Sequence, residues 1–228
     1  MRRVFIGFDP DETVALYVLA HSIWRRSRIS IEPLILRHLD IERPREPDQS
    51  TEFSFTRFLV PSLCDFRGTA VYMDCDMLCR CNIAELFDAA DPAADVSVVK
   101  HDYTPKDSTK FLGKTQTSYE RKNWSSVMVF DNAKCRSLTQ DAVNTADAEW
   151  LRKMQWAKNI GSLPAEFNHL VGEYDPNPNA KIVHFTRGTP CFAKYRNCEF
   201  SSEWYAERDM MLHHNRLGEY SLPEKLTA

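Results

Sequence analysis

The sequence has no run of the roughly 18 consecutive apolar residues that a membrane-crossing helix needs. Its N-terminal apolar stretch, Val4-Phe5-Ile6-Gly7, is too short for the h-region of a secretory leader and is cut off by Asp9. Both features predict a protein that stays in the cytoplasm. Neither sign of charge is in excess: 29 Lys and Arg stand against 32 Asp and Glu, a net charge of −3. A general attraction to nucleic acid or anionic lipid is thereby excluded. The seven cysteines are odd in number and follow no pairing framework, which predicts reduced thiols. Cys75, Cys79 and Cys81 lack the C-x-x-C knuckle of a structural zinc site. They are read as small apolar fillers at the end of a buried strand. There is no internal repeat, no low-complexity tract and no segment that reads as a linker.

What is present suits a folded α/β domain. Apolar residues make up 43% of the 228, with 13 Phe, 8 Tyr and 5 Trp, enough for a sizeable core. Short apolar runs predict buried strands at residues 4–8, 29–36, 69–73, 96–99, 127–130 and 182–185. A helical stripe of Val14, Val18, Leu19 and Ile23 predicts a helix over 11–25. Further helices are predicted at 51–63, with Pro61 disturbing the last turn, and at 83–90, 142–156 and 203–214. The opening β-α-β order predicts a mostly parallel sheet flanked by helices. Residues 42–49 read as a loop. Residues 101–122 carry Lys106, Lys110, Lys114, Arg121 and Lys122 without a clean period, and read as a long loop or insertion beside a site.

The chemistry concentrates at Tyr72-Met73-Asp74-Cys75-Asp76. Acids at i and i+2 on a strand point the same way. At the carboxyl end of a strand in an open α/β sheet, that direction faces the ligand crevice. Two converging carboxylates repel unless a cation lies between them, and oxygen ligands suit Mg²⁺ or Mn²⁺, which commonly bridge to phosphates. The plainer alternative is that the two acids end a strand and start a turn.

Three segments in order give a resemblance: Phe55-Thr56-Arg57-Phe58-Leu59-Val60-Pro61, Ala70-Val71-Tyr72-Met73-Asp74-Cys75-Asp76-Met77-Leu78 and Asn82-Ile83-Ala84-Glu85-Leu86-Phe87. The chain resembles the family 8 glycosyltransferases and their close relatives, strongly over 55–88 and loosely over 1–192. The resemblance implies a single GT-A (Rossmann-like) domain over 1–200, with residues 201–228 forming a C-terminal helix and tail packed on it. It implies a hexosyltransferase-like enzyme that moves a sugar from a nucleoside diphosphate sugar, most often a UDP-sugar, to a hydroxyl acceptor with retention of configuration. It also implies roles for residues. Asp74, Asp76 and His184 (in Val183-His184-Phe185-Thr186-Arg187-Gly188) would hold Mn²⁺ or Mg²⁺. Asp74, Asp76 and Arg57 would serve catalysis. Phe8, Asp9, Arg57, Asp74, Cys75, Asp76, His184 and Gly188 would line the donor site, with Asp9 at the base and Gly188 near the diphosphate.

The match departs from the family in places. The lysine that follows H-x-x-G in the family has no counterpart, since Pro190 and Cys191 stand there, and Arg187 or Lys194 are the stand-ins within reach. Asn123-Trp124-Ser125-Ser126 follows the family's N-S-G segment loosely, whereas Leu163-Pro164-Ala165-Glu166-Phe167-Asn168 follows L-P-x-x-F-N well. His184 as a structural histidine and Arg57 as a plain ion-pair partner stay open beside the ligand readings. Two other functions stay open as well. One is a sugar nucleotidyltransferase, ranked lower because Gly7-Phe8-Asp9-Pro10 holds one glycine rather than a Gly-rich phosphate loop. The other is a non-catalytic carbohydrate-binding relative. The acceptor is not specified.

Overall fold

The computed structural model describes residues 2–46, 49, 51–114 and 120–213. The predicted end of the last helix at 214 and the tail to 228 lie outside the described residues, as does part of the polar segment 101–122. The central sheet contains β1 (Arg2–Gly7), β2 (Ile31–Leu34), β3 (Thr69–Met73), β5 (Val96–Val98), β6 (Val127–Asp131) and β7 (Ile160–Ser162) in the order β2-β1-β3-β6-β5-β7. Parallel pairing joins β1 to β2 and β3, and β5 to β7; β6 is antiparallel to both of its neighbours. The sheet is therefore mostly parallel, as predicted, with one reversed strand at its centre. A small second sheet joins β4 (Met77–Cys79), β9 (Ile182–His184) and β8 (His169–Leu170) in that order.

Strand alternation sorts the core onto two faces. Val4, Ile6, Val71, Met73, Val127 and Val129 pack against Leu19 and Ile23 of α1 (Thr13–Arg26). Phe5, Ala70, Tyr72, Met128 and Phe130 face the other way, toward Phe58, Leu59 and Trp156. Burying an aromatic or aliphatic side chain of this size contributes about 1.5–3 kcal/mol, so both faces hold the strands that reach the site.

The predicted helix at 51–63 is three short pieces: α2 (Phe53–Thr56), a 3₁₀ turn at Arg57–Leu59 and α3 (Val60–Leu63). Pro61 sits in the first turn of α3, where a missing N–H costs nothing. The predicted strand 29–36 is shorter, and a 3₁₀ turn follows it at Leu36–His38. After α4 (Ala84–Asp88), the predicted helix over 142–156 is two helices, α5 (Gln140–Thr145) and α6 (Ala148–Arg152). The break falls at Asp147, whose carboxylate accepts the backbone N–H of Glu149 at 2.7 Å and so starts a new helix. The last helix, α7 (Ser201–His213), packs on α1: Glu207 takes His21 at 2.6 Å and Arg25 and Arg26 at 3.0 Å each. No described helix is long and apolar enough to cross a membrane.

Candidate metal and donor site

The site forms where the two sheets meet. Asp74 follows the last residue of β3, and its backbone N–H bonds the carbonyl of Ser126 at 2.9 Å, just before β6. Asp76 precedes β4. The β4–β9 register sets Met77 opposite His184, and the N–H of Phe185 donates to the carbonyl of Asp76 at 2.9 Å. Sequence-distant side chains are thus brought together by strand pairing. Ligating atoms of Asp74, Asp76 and His184 all lie within 4.8 Å of one another, and all three residues are buried.

A hydrogen-bond chain fixes which nitrogen of His184 is the donor to Asn168. The hydroxyl of Ser126 gives its one proton to the carbonyl of Asn123 at 2.6 Å. It must therefore accept the amide N–H of Asn168, 2.8 Å away. That turns Oδ1 of Asn168 toward His184, whose Nδ1–H donates to it at 3.0 Å. With that one proton on Nδ1, the ring presents a bare lone pair at Nε2, the arrangement typical of a metal-ligating histidine. Oδ1 of Asp76 lies 3.3 Å from Nε2 and has no hydrogen-bond partner. Two buried acceptors facing each other are costly unless something positive lies between them. A second proton on the ring would also close the gap as an imidazolium–carboxylate pair, but such pairs normally close to about 2.7–2.9 Å. The donor set therefore fits a divalent cation with nitrogen and oxygen ligands.

The two aspartates differ in their surroundings. Oδ1 of Asp74 accepts from the hydroxyl of Tyr72 at 2.8 Å and pairs with Nη2 of Arg57 at 3.1 Å. Burial still outweighs Arg57 and leaves the Asp74 carboxyl above the usual carboxylate range. Burial also works against ionised Asp76, and the positive charge that His184 carries when its ring takes a second proton, with Lys110 beyond it, holds that carboxyl below its ordinary value. Arg57 is itself pinned: Nε donates to the carbonyl of Phe53 at 3.2 Å, and Nη1 to the carbonyl and hydroxyl of Ser125 at 2.8 and 3.0 Å.

Gly7 makes this arrangement possible. A side-chain carbon there would come 2.3 Å from the hydroxyl of Tyr72 and 2.7 Å from Phe53, so only glycine lets Tyr72 reach Asp74.

The remaining predicted residues are placed as follows. Phe8 is half-buried and packs against the apolar core. Both carboxylate oxygens of Asp9 accept backbone N–H groups, from Asp11 at 3.0 Å and Glu52 at 3.1 Å, so Asp9 ties the 51–52 turn to the end of β1. Cys75 is fully buried, and burial pushes its thiol well up. Gly188 has φ +146°, and a side chain there would strike the ring of Tyr195 at 2.6 Å and Phe111 at 2.9 Å. Its own N–H donates to the carbonyl of Phe185 at 2.7 Å. Of the stand-ins for the missing lysine, Arg187 bonds Glu173 at 2.9 Å and Asp107 at 3.4 Å. Lys194 lies over the ring of Tyr195.

Sequence reasoning missed four residues. Tyr72 and Asn168 orient the aspartate and the histidine, and Ser126 sets the direction of Asn168. The fourth is Glu12, buried beneath the site with Oε1 unpartnered and Oε2 4.0 Å from Sγ of Cys75. Burial first, and then the charge of Asp76, push its carboxyl well above the usual range.

No family model matches the chain. Its fold is similar to that of the glycosyltransferase GlyE of Streptococcus pneumoniae TIGR4, with a TM-score of 0.60 at 14% identity, covering 94% of this chain and 63% of GlyE. It is also similar to the galactosyltransferase LgtC in complex with donor and acceptor sugar analogs. That match has a TM-score of 0.57 at 11% identity, and covers 99% of this chain and 98% of LgtC. The chain thus has the GT-A fold of the family 8-type glycosyltransferases. In sequence it is 42% identical over 222 residues to Protein CDI of Arabidopsis thaliana, covering 91% of this chain and 86% of that protein, and it belongs to the Protein CDI family.

Proposed function

We propose that the chain is a metal-dependent glycosyltransferase that moves a sugar from a nucleoside diphosphate sugar, a UDP-sugar in the first instance, to a hydroxyl acceptor with retention. The observation that carries this reading is the pair of facing acceptors, Asp76 Oδ1 and His184 Nε2 at 3.3 Å, with Nδ1 already committed to Asn168. Asp74, Asp76 and His184 would hold Mn²⁺ or Mg²⁺. When bound, the cation supplies a Lewis acid for the charge that gathers on a departing diphosphate. The protein's own part is orientation. Asn168 aims the ring of His184, and Tyr72 and Arg57 aim Asp74, which spares the site any rearrangement when the donor arrives. Arg57 acts through Asp74, and Phe8, Asp9 and Gly188 line the donor side as the family resemblance implies, whereas Cys75, which the resemblance also puts there, is wholly buried beneath it. Residues 1–200 form the nucleotide-sugar glycosyltransferase domain, and α7, seated on α1 through Glu207, extends it over 201–213. Seven free thiols support a reducing, cytoplasmic setting.

The test is to incubate the purified protein with Mn²⁺ and a panel of UDP-, GDP- and ADP-sugars, and to follow release of the nucleoside diphosphate. Turnover that requires a divalent cation and is abolished in Asp76→Asn is the expected result. Pyrophosphate release from a nucleoside triphosphate would point to nucleotidyl transfer instead. A folded protein that neither binds nor turns over any donor would refute the proposal.

A further inference from the structure

Helix α1 is apolar on two sides. On the inner side Ala15, Leu16, Val18, Leu19 and Ile23 are buried. Six large apolar side chains among the described residues are nevertheless exposed, and three of them stand on this one helix: Val14 at 44%, Tyr17 at 57% and Trp24 at 65%. With His21 they follow the spacing 14, 17, 21, 24, which sets side chains on one line along a helix, as in a coiled-coil seam. The inner residues already hold α1 on the sheet, so this outer line is not needed for that packing.

The line borders a groove. Tyr17, Ala20 and Trp24 share about 400 Å³ with Ile29, Ile31 and Met211, and Leu212 stands 60% exposed next to Met211 on α7. A single exposed apolar residue needs no explanation, but a tyrosine and a tryptophan in line over an apolar groove mark an interaction surface. The two ends of the line carry opposite charge. Asp11 stands three residues before Val14; it shares Lys114 at 2.8 Å and keeps about half of its side chain exposed. Arg28, exposed, follows Trp24 by four residues just past the helix. Arg25, paired with Glu207 at 3.0 Å and still 43% exposed, adds to the basic end.

We propose that this face is covered by a second copy of the chain, with the two α1 helices antiparallel across a twofold axis. A twofold sets residue i against j and j against i. With the axis midway between Tyr17 and His21, Val14 meets the partner's Trp24 and Tyr17 meets the partner's His21. The acidic start of each helix then meets the basic end of the other, Asp11 beside the partner's Arg28. An unrelated partner has no need of a surface that matches itself in both spacing and charge; that match selects a second copy. Tyr17 and Trp24 together expose roughly 200–300 Å². Over both copies that is about a third to a half of the roughly 1,200 Å² of a specific interface, before the groove walls and charged ends are counted.

Sedimentation velocity of the full chain tests the pairing, with circular dichroism to show that each variant is folded. The wild type should sediment at twice the chain's 26.4 kDa at micromolar concentration. Trp24→Glu should raise the dimer dissociation constant by about a thousandfold, since the loss typical of a hot-spot tryptophan counts once from each copy. Asp11→Arg and Arg28→Asp should each weaken the dimer by setting like charges together, and the two combined should restore it, because each copy then offers the exchanged pair. A wild type that stays monomeric up to about 100 µM overturns the proposal and leaves the groove to another occupant, residues 214–228 of the same chain among them. A dimer that survives in folded Trp24→Glu overturns it as well. A dimer that Trp24→Glu dissociates, but whose affinity follows neither single charge change nor their combination, overturns the antiparallel pairing.

Discussion

Asn168 holds the one hydrogen bond on which the metal reading depends. It is fully buried, with Oδ1 on His184 Nδ1 at 3.0 Å and its amide on Ser126 at 2.8 Å. In Asn168→Leu the Nδ1–H of buried His184 loses its acceptor, at a cost of about 1–3 kcal/mol. The ring escapes that cost by moving its proton to Nε2, where Oδ1 of Asp76 already waits at 3.3 Å. The new internal bond occupies two of the ligand atoms. Removing the partner of a ligating histidine typically lowers metal affinity by about 10–100-fold, which is about 1.4–2.7 kcal/mol. Asn168→Asp has the same shape and keeps an acceptor facing Nδ1. It should bind Mn²⁺ as tightly as the wild type or more so, while losing stability from the added buried charge. Free Mn²⁺ is read directly by electron paramagnetic resonance during titration, with melting curves to show that both variants are folded. The reasoning is refuted if folded Asn168→Leu binds Mn²⁺ like the wild type, or if the Leu and Asp variants lose affinity equally.

Glu12 predicts a pH dependence of stability. Its carboxyl is raised well above the ordinary value of 4.5, so the folded state keeps a proton that the unfolded chain gives up. The stabilisation is complete below pH 4.5 and drains away as pH rises toward the folded value, by about 1.4 kcal/mol per pH unit for one proton. Glu12→Gln should remove that slope, and urea melts in EDTA at a series of pH values above 4.5 should show the variant gaining on the wild type as pH rises; parallel pH profiles would sink the argument. Gly7→Ala should cost about 1–3 kcal/mol from overpacking against Tyr72 and Phe53. It should also weaken Mn²⁺ binding by displacing Tyr72 from Asp74, so a melting temperature and Mn²⁺ affinity equal to the wild type would count against the role given to Tyr72.

The sheet was legible where mostly apolar residues run over four or more positions. Val4 to Gly7 and Thr69 to Met73 announce β1 and β3 through runs that have nowhere to go but a buried sheet. Strands β4, β7 and β8, of two or three residues, are too short to show a period, and their existence depends on partners far along the chain. The break between α5 and α6 had a readable signal: Asp147 stands two residues before Glu149, a helix start that the apolar pattern of 142–156 obscures. At the site, Asp74 and Asp76 were readable from spacing, and His184 from the family resemblance. Glu12 was not, because nothing local distinguishes an acid in a first helical turn from one aimed into the core. Asn168 lay inside a recognised segment, but its role appears only when β8 and β9 set it against His184.

The two aspartates also show why a D-x-D spacing alone does not define their work. The bend between β3 and β4, rather than strand alternation, brings both carboxylates toward His184, and the packing around them assigns different tasks. Asp74 is held on one oxygen by Tyr72 and Arg57, and both partners are anchored by the main sheet and the α2 turn. Asp76 belongs to the second sheet, is tied through its backbone to Phe185, and leaves an oxygen with no partner. Asp74 is thus a carboxylate positioned from behind, and Asp76 one left exposed toward His184. A cation at this junction would tie the two sheets together through side chains that the backbone alone leaves apart. Its binding should therefore stabilise the fold as well as prepare the site, by mass action on the folded state. That coupling follows from where β3, β4 and β9 end, and the Asp74–Asp76 spacing is its local trace.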